Sequence, residues 1–154
     1  MKKVFFHYAD KKIRINKTKD IKSVVSKIFE IEKVSFARID YIFCSDKYLL
    51  QLNKKLLKHD YYTDVISFAL NETKTPVIGE IYMSVDRIKD NSKKYRVLFK
   101  QELLRVLFHG TLHLCGYSDT TKKDRKLMRV MENKYLSLYE NLIAVSRETI
   151  MNWN

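Results

Sequence analysis

Cysteine is scarce in this chain: Cys44 and Cys115 are the only two among 154 residues. That is too few for a disulfide framework and fits a reducing compartment. Proline occurs once, at Pro76, and glycine three times, at Gly79, Gly110 and Gly116. With no low-complexity linker and no internal repeat, residues 1–154 read as one domain. No uninterrupted apolar run approaches the roughly 18 residues that a membrane-spanning helix needs. The opening MKKVFFHYADKK superficially suggests a secretory signal, but His7, Asp10 and Lys11 break its apolar part short of the ~7–15 residues required. A first strand and a cytoplasmic protein are expected instead. Negative charge is the remaining deficit. Thirty Lys+Arg stand against eighteen Asp+Glu, a formal net charge of +12, which favours a polyanionic partner such as nucleic acid.

What is present alternates between short strands and longer helices. KVFFHY (Lys3–Tyr8) is β-branched and aromatic, and reads as a strand. From Asp20 to Lys33, Ile21, Val24, Val25, Ile28 and Phe29 recur at helical spacing, with Thr18 or Asp20 as candidate N-cap. FARIDYIFC (Phe36–Cys44) reads as a second strand, and Ser45 is placed to cap a helix through DKYLLQLNKKLL. Asp64–Leu70 and Ile78–Val85 flank the turn-like NETKTP and are near enough in sequence to pair antiparallel. DRIKDNSKKY is a polar helix or turn. From Leu98 to Cys115 the apolar period is helical, and Gly116 suits a left-handed C-cap. Thr121 with Asp124 resembles a capping box before a basic amphipathic helix. AVSRETIMNWN, at the end, has no reading. The order implies an α+β class: a mixed sheet of about four strands packed with helices, the helix from Leu98 at its centre.

Two histidines stand out inside RVLFHGTLHLCGYSD. His109 and His113 are four residues apart, which on a helix places both imidazoles on one face about 5–6 Å apart at Cβ. Gly110 sits beside His109, where glycine costs ~1 kcal/mol relative to alanine. Close approach of another group to the backbone, or a close helix crossing, explains its presence. Gly116 turns the chain just past His113, so Asp119 can return over the helix end as a third ligand. Two His and a carboxylate, with a position left for water, form the ligand set of a catalytic zinc site. Cys115 is the rival, but two helical residues from His113 rotate it by about 200°. Gly110 also occupies the place of the glutamate of HExxH proteases, their general base, which disfavours peptide hydrolysis. Glu102, two turns before His109 and about 10 Å along the axis, is too far for direct catalysis and suits an outer-shell or structural role.

HGTLHLCGYSD resembles the signature of the YbeY family of bacterial endoribonucleases, HGxLHLxGYDH. His109, Gly110, Leu112, His113, Leu114, Gly116 and Tyr117 match its fixed positions. DYYTDVISF (Asp60–Phe68) resembles the family's TDVLSF segment, and GEIYMSVDRIKDN (Gly79–Asn91) its GDIxIS segment, in the same order. The resemblance covers the chain from about Leu52 to about Met131. It implies an α+β metallo-endoribonuclease of ribosomal RNA maturation, acting at the small-subunit 3′ end and in ribosome quality control. Two departures stand out. Asp119 falls where the family has its third histidine, with Ser118 at the preceding aspartate, so zinc remains the expected metal but manganese or iron become more acceptable. Leu57 falls where the family has an arginine, a position whose role in RNA handling Lys58 or His59 would have to take.

The implied chemistry is hydrolysis of a phosphodiester in single-stranded RNA, a metal-activated water attacking and Asp64 orienting it. RNA contacts are expected from Arg87, Lys89, Lys93, Lys94 and Arg96, and from Lys122, Lys123, Arg125, Lys126 and Arg129, with Tyr61, Tyr62, Tyr95 and Tyr117 as candidate stacking rings. The alternative is a non-catalytic ribosome-assembly factor with a structural metal. Partners on either reading are single-stranded or ribosomal RNA and the small ribosomal subunit, without a membrane.

Overall fold

The computed structural model describes residues 2–59, 61–72 and 75–151, the side chains of 147–151 excepted. Four strands and five helices follow in order: β1 (Lys3–Tyr8), α1 (Thr18–Ile31), β2 (Phe36–Cys44), α2 (Asp46–Leu57), β3 (Val65–Ala69), β4 (Val77–Ser84), α3 (Val85–Tyr95), α4 (Phe99–Leu114) and α5 (Lys122–Met151). The expected α+β mixed sheet is what forms. Its strand order is β1-β2-β4-β3. β1 runs parallel to β2 from Lys3↔Arg38 to Tyr8↔Phe43, and β2 runs parallel to β4 with a register slip between Phe36 and Arg38. β3 closes the sheet antiparallel to β4, Val65 opposite Met83 and Ala69 opposite Gly79, as the short connection between them predicts.

Strand alternation divides the core. Ile39, Tyr41 and Phe43 of β2 face α1, α4 and α5 in the main cluster, whereas Cys44 turns to the other face to meet Leu49 of α2 and Ile66 of β3. Helix α4 is buried on nearly every side, from Leu103 and Leu104 through Phe108 to Leu112. A helix apolar all round belongs in a core, and this one lies between the sheet and α5. Helix α5 buries only one stripe, Met128, Glu132, Tyr135, Leu136 and Tyr139.

The caps explain most helix starts, with one correction. Ser45 accepts the Tyr48 N–H at 3.0 Å, as predicted, and Ser84 accepts the Arg87 N–H at 3.0 Å, which makes DRIKDNSKKY a helix rather than a turn. Thr121 and Asp124 bond reciprocally at 3.0 and 3.4 Å, the capping box expected before α5. Neither Thr18 nor Asp20 caps α1. Lys17, in the left-handed conformation at φ 57°, precedes the helix, and its carbonyl accepts from Asp20 and Ile21 at 3.1 Å. Thr18 is thus already inside the first turn. The segment without a reading, from Ala144, continues α5 as far as Met151, and residues 152–154 lie outside the described residues.

Candidate metal centre

The last two turns of α4 carry His109 and His113, and three backbone devices bring an acid to them. Gly116 N–H donates to His113 C=O at 3.0 Å and Tyr117 N–H to Leu112 C=O at 3.1 Å. Gly116 itself stands at φ +103°, a conformation that suits glycine, so the helix ends in a Schellman turn. The Tyr117 hydroxyl then reaches Glu32, just past α1, at 2.5 Å, and the Tyr135 hydroxyl of α5 bonds the other oxygen of the same carboxylate. Glu32 therefore holds the turn against two helices. From it the chain returns through Ser118, and Asp119 Oδ2 comes to 3.3 Å from both His109 Nε2 and His113 Nε2.

The two Nε2 atoms are 3.0 Å apart. Ligand atoms around a tetrahedral ion at roughly 2.0–2.1 Å stand about 3.3 Å from one another, so all three separations fit one small cation. The hydrogen-bond chemistry agrees. His113 Nδ1 faces the Tyr117 carbonyl at 2.9 Å, and a carbonyl only accepts, so the ring's hydrogen is on Nδ1. His109 Nδ1 faces the Glu132 carboxylate at 2.8 Å. With both rings neutral, each is left with its Nε2 lone pair aimed at the other, a repulsive arrangement that a shared proton or metal cation resolves. Burial pushes the Glu132 pKa up, but its bonds from His109 and Arg105 hold it below the usual carboxylate range. Burial likewise opposes charge on His109, yet Glu132, Asp64 and Asp119 raise its pKa overall. The pocket favours positive charge. Among the described residues, His109, His113 and Asp119 form the one group of His, Cys and acidic side chains able to hold a metal ion.

Cys115 points elsewhere, as its helical angle requires. It packs against the core, and burial pushes its thiol up to about 12.

Gly110 marks where α4 meets the sheet. A Cβ there would lie 2.7 Å from Ile81 and 3.1 Å from both Ser67 and Val65, and the Ser67 hydroxyl donates to the Gly110 carbonyl at 3.0 Å. The glycine serves close packing of helix on sheet, where the sequence suggested a helix crossing.

A family model described as Endoribonuclease YbeY matches residues 5–140. The chain belongs to this family. A relative named Endoribonuclease YbeY from Cytophaga hutchinsonii is 44% identical over 135 residues, covering 88% of this chain and 94% of its own. Its namesake from Amoebophilus asiaticus is 36% identical, covering 86% and 90%. A solution structure of a Thermotoga maritima protein superposes with a TM-score of 0.58 at 26% identity, over 93% of each chain.

Two hollows flank the centre. One, of about 420 Å³, is lined by Leu57, His59, Tyr61, Thr63 and the site residues, so Leu57 and His59 both reach it. His59 is tied to the Tyr61 hydroxyl at 3.0 Å, and buried Asn53 fixes this loop through the Tyr61 carbonyl at 3.0 Å. Lys58 caps α2 in the left-handed conformation and is exposed. The other hollow, of about 200 Å³, is lined by acids and arginines of α4 and α5. Asp64 lies between the two, lining both. Burial raises its pKa, and its carboxylate accepts from Asn91 at 3.4 Å.

The basic candidates divide. Arg87 is committed to Asp46 at 2.7 Å and stands over the Tyr62 ring. Arg125 and Arg129 line the smaller hollow. Lys89, Lys93, Lys94 and Arg96 are exposed on or just after α3, and Lys122, Lys123 and Lys126 are exposed early in α5. Sequence reasoning missed Glu132. Its signal was an acid on the apolar stripe of a basic helix, three residues after Arg129. Glu102, for which the sequence suggested an outer or structural role, lines the smaller hollow together with His109.

Proposed function

We propose that the protein is a cytoplasmic, single-strand-specific, metal-dependent endoribonuclease of ribosomal RNA maturation, acting on small-subunit RNA and in ribosome quality control. The observation that carries this reading is the meeting of two Nε2 atoms and Asp119 Oδ2 at 3.0–3.3 Å, both rings oriented by acceptors behind them. Family membership supports RNA as the substrate class, and the net charge of +12 suits a polyanion. Among the described residues no helix is long and apolar enough to cross a membrane.

His109, His113 and Asp119 would hold the ion, with zinc preferred and manganese or iron admissible because one donor is a carboxylate. A divalent ion held there would supply an acidified water and charge to offset that of the phosphate. The chain does the rest. Glu132 and the Tyr117 carbonyl fix the tautomer and tilt of the imidazoles. Asp64, half-buried and lining both hollows, would orient the attacking water. Arg125 and Arg129 can neutralise phosphate, and His59 stands on the side where Leu57 replaces the family's arginine.

The test is metal analysis of protein purified without chelator or nickel resin, together with cleavage of single-stranded RNA. Wild type should carry about one equivalent of metal and cleave; Asp119→Ala should lose most of both. Unchanged metal content in that variant would remove Asp119 from the ligand set. A metal-loaded wild type that never cleaves RNA, with a large fall in melting temperature for His113→Ala, would leave the metal a structural role.

A further inference from the structure

Glu102 is the anomaly of the smaller hollow. It sits in the first turn of α4, only 5% exposed, its backbone N–H bonded to the Leu98 carbonyl at 3.1 Å, and its carboxyl makes no hydrogen bond or ion pair with any described residue. The other acids around it are engaged: Asp64 accepts from Asn91, and Glu132 accepts from His109 and Arg105. Its carboxylate is not sealed in the core but opens to the hollow, and burial of the residue and the nearby Asp64 charge raise its pKa. A group kept in that state and facing a hollow beside a metal centre is suited to a ligand.

The surroundings limit what that ligand is. Arg105, Arg125 and Arg129 line the same hollow beside Asp64, Asp119 and Glu132, Arg105 and Arg129 pairing with Glu132 at 3.1 and 3.6 Å, so the lining offers both signs of charge. A ligand with an anionic part for the arginines and neutral N–H donors for the carboxylate satisfies both. A nucleotide has both. Two carboxylate oxygens match two parallel donors, and among the four RNA bases only guanine presents an adjacent N1–H and amino N–H on its Watson–Crick edge. Cytosine and adenine set a ring-nitrogen acceptor beside their amino group, and uracil sets one N–H between two carbonyls. The volume of about 200 Å³ suits a single base, and Tyr95, 53% exposed at the rim, offers a ring to stack on it.

We propose that this hollow is a base-recognition subsite in which Glu102 accepts the paired N–H groups of a guanine adjoining the scissile phosphate, while Arg125 and Arg129 meet that nucleotide's phosphate. The inference rests on the endoribonuclease reading and adds a base preference to it. Fluorescence anisotropy of labelled short oligouridylates carrying one central guanosine, adenosine or cytidine tests it by binding alone. Wild type should bind the guanosine oligomer about tenfold or more tightly than the others, and Glu102→Gln, which exchanges one acceptor for a donor, should bring the three to near parity. Equal affinities in wild type overturn the subsite whether or not the variant folds. So does a second equivalent of Mg²⁺ that wild type binds and Glu102→Gln loses, with no base preference. Mapping of cut positions on a long single-stranded RNA separates the two claims. Guanine preference in binding without any cleavage sinks the nuclease reading alone, and cleavage indifferent to guanine sinks the subsite alone.

Discussion

At the scale of single residues, the centre depends on groups that never touch a substrate. Glu132 orients His109 and carries the Arg105 ion pair at 3.1 Å. Glu132→Gln should keep the fold but weaken metal binding by about 10–100-fold, the usual effect of removing a ligand's outer partner; competition with a metal-sensitive dye measures it. Glu102 and Glu132 make opposite contributions to stability with pH. Burial and Asp64 raise the Glu102 pKa, so its contribution is fully present below the unfolded-state carboxyl value, about 4.3, and is lost as pH rises through the folded value. At neutral pH wild type therefore bears a penalty that Glu102→Gln removes. Its melting temperature should exceed wild type at about pH 7, and the advantage should vanish near pH 4. For Glu132 the folded pKa is depressed, so its contribution is present above the unfolded value and lost as pH falls through the folded one. A Glu102→Gln variant less stable than wild type at neutral pH would contradict the account of Glu102.

At the scale of elements, helix α4 joins the sheet to the site. Its contact with β3 and β4 is set by Gly110, where an added methyl would press on Ile81 at 2.7 Å. Gly110→Ala overpacks this crossing at a cost of about 1–3 kcal/mol, which should outweigh the ~1 kcal/mol of helix propensity gained and leave a net loss. Chemical denaturation measures the loss; a neutral or stabilising result would show that the sheet yields. Much of this scale was legible beforehand. The helical period, the Ser45 cap, the Thr121–Asp124 box and the turn at Gly116 all follow from local chemistry. The Lys17 start of α1 did not, because a lysine in the left-handed conformation leaves no compositional mark.

At the scale of the molecule, +12 net charge must act on whatever RNA the protein meets. Affinity for single-stranded RNA should fall at least tenfold between about 50 and 200 mM salt, as release of condensed counterions requires. A flat response would mean that the exposed lysines of α3 and α5 make no phosphate contacts. Arg87 is not expected to contribute much to that slope, since Asp46 already neutralises it.

The sequence by itself determined what local rules can carry: the alternation of strands and helices, the pairing of β3 with β4, the shared helical face of His109 and His113, and the turn that returns Asp119. Each depends on residues close together in the chain, where spacing fixes geometry. Only the tertiary structure decided the rest. Glu132 lies 23 residues beyond His109, and Glu32 lies 85 before Tyr117. Their positions at the site follow from the packing of α5 and α1 around α4, which no local period encodes. The same packing brought Glu102 into the hollow beside His109, among both arginines and acids.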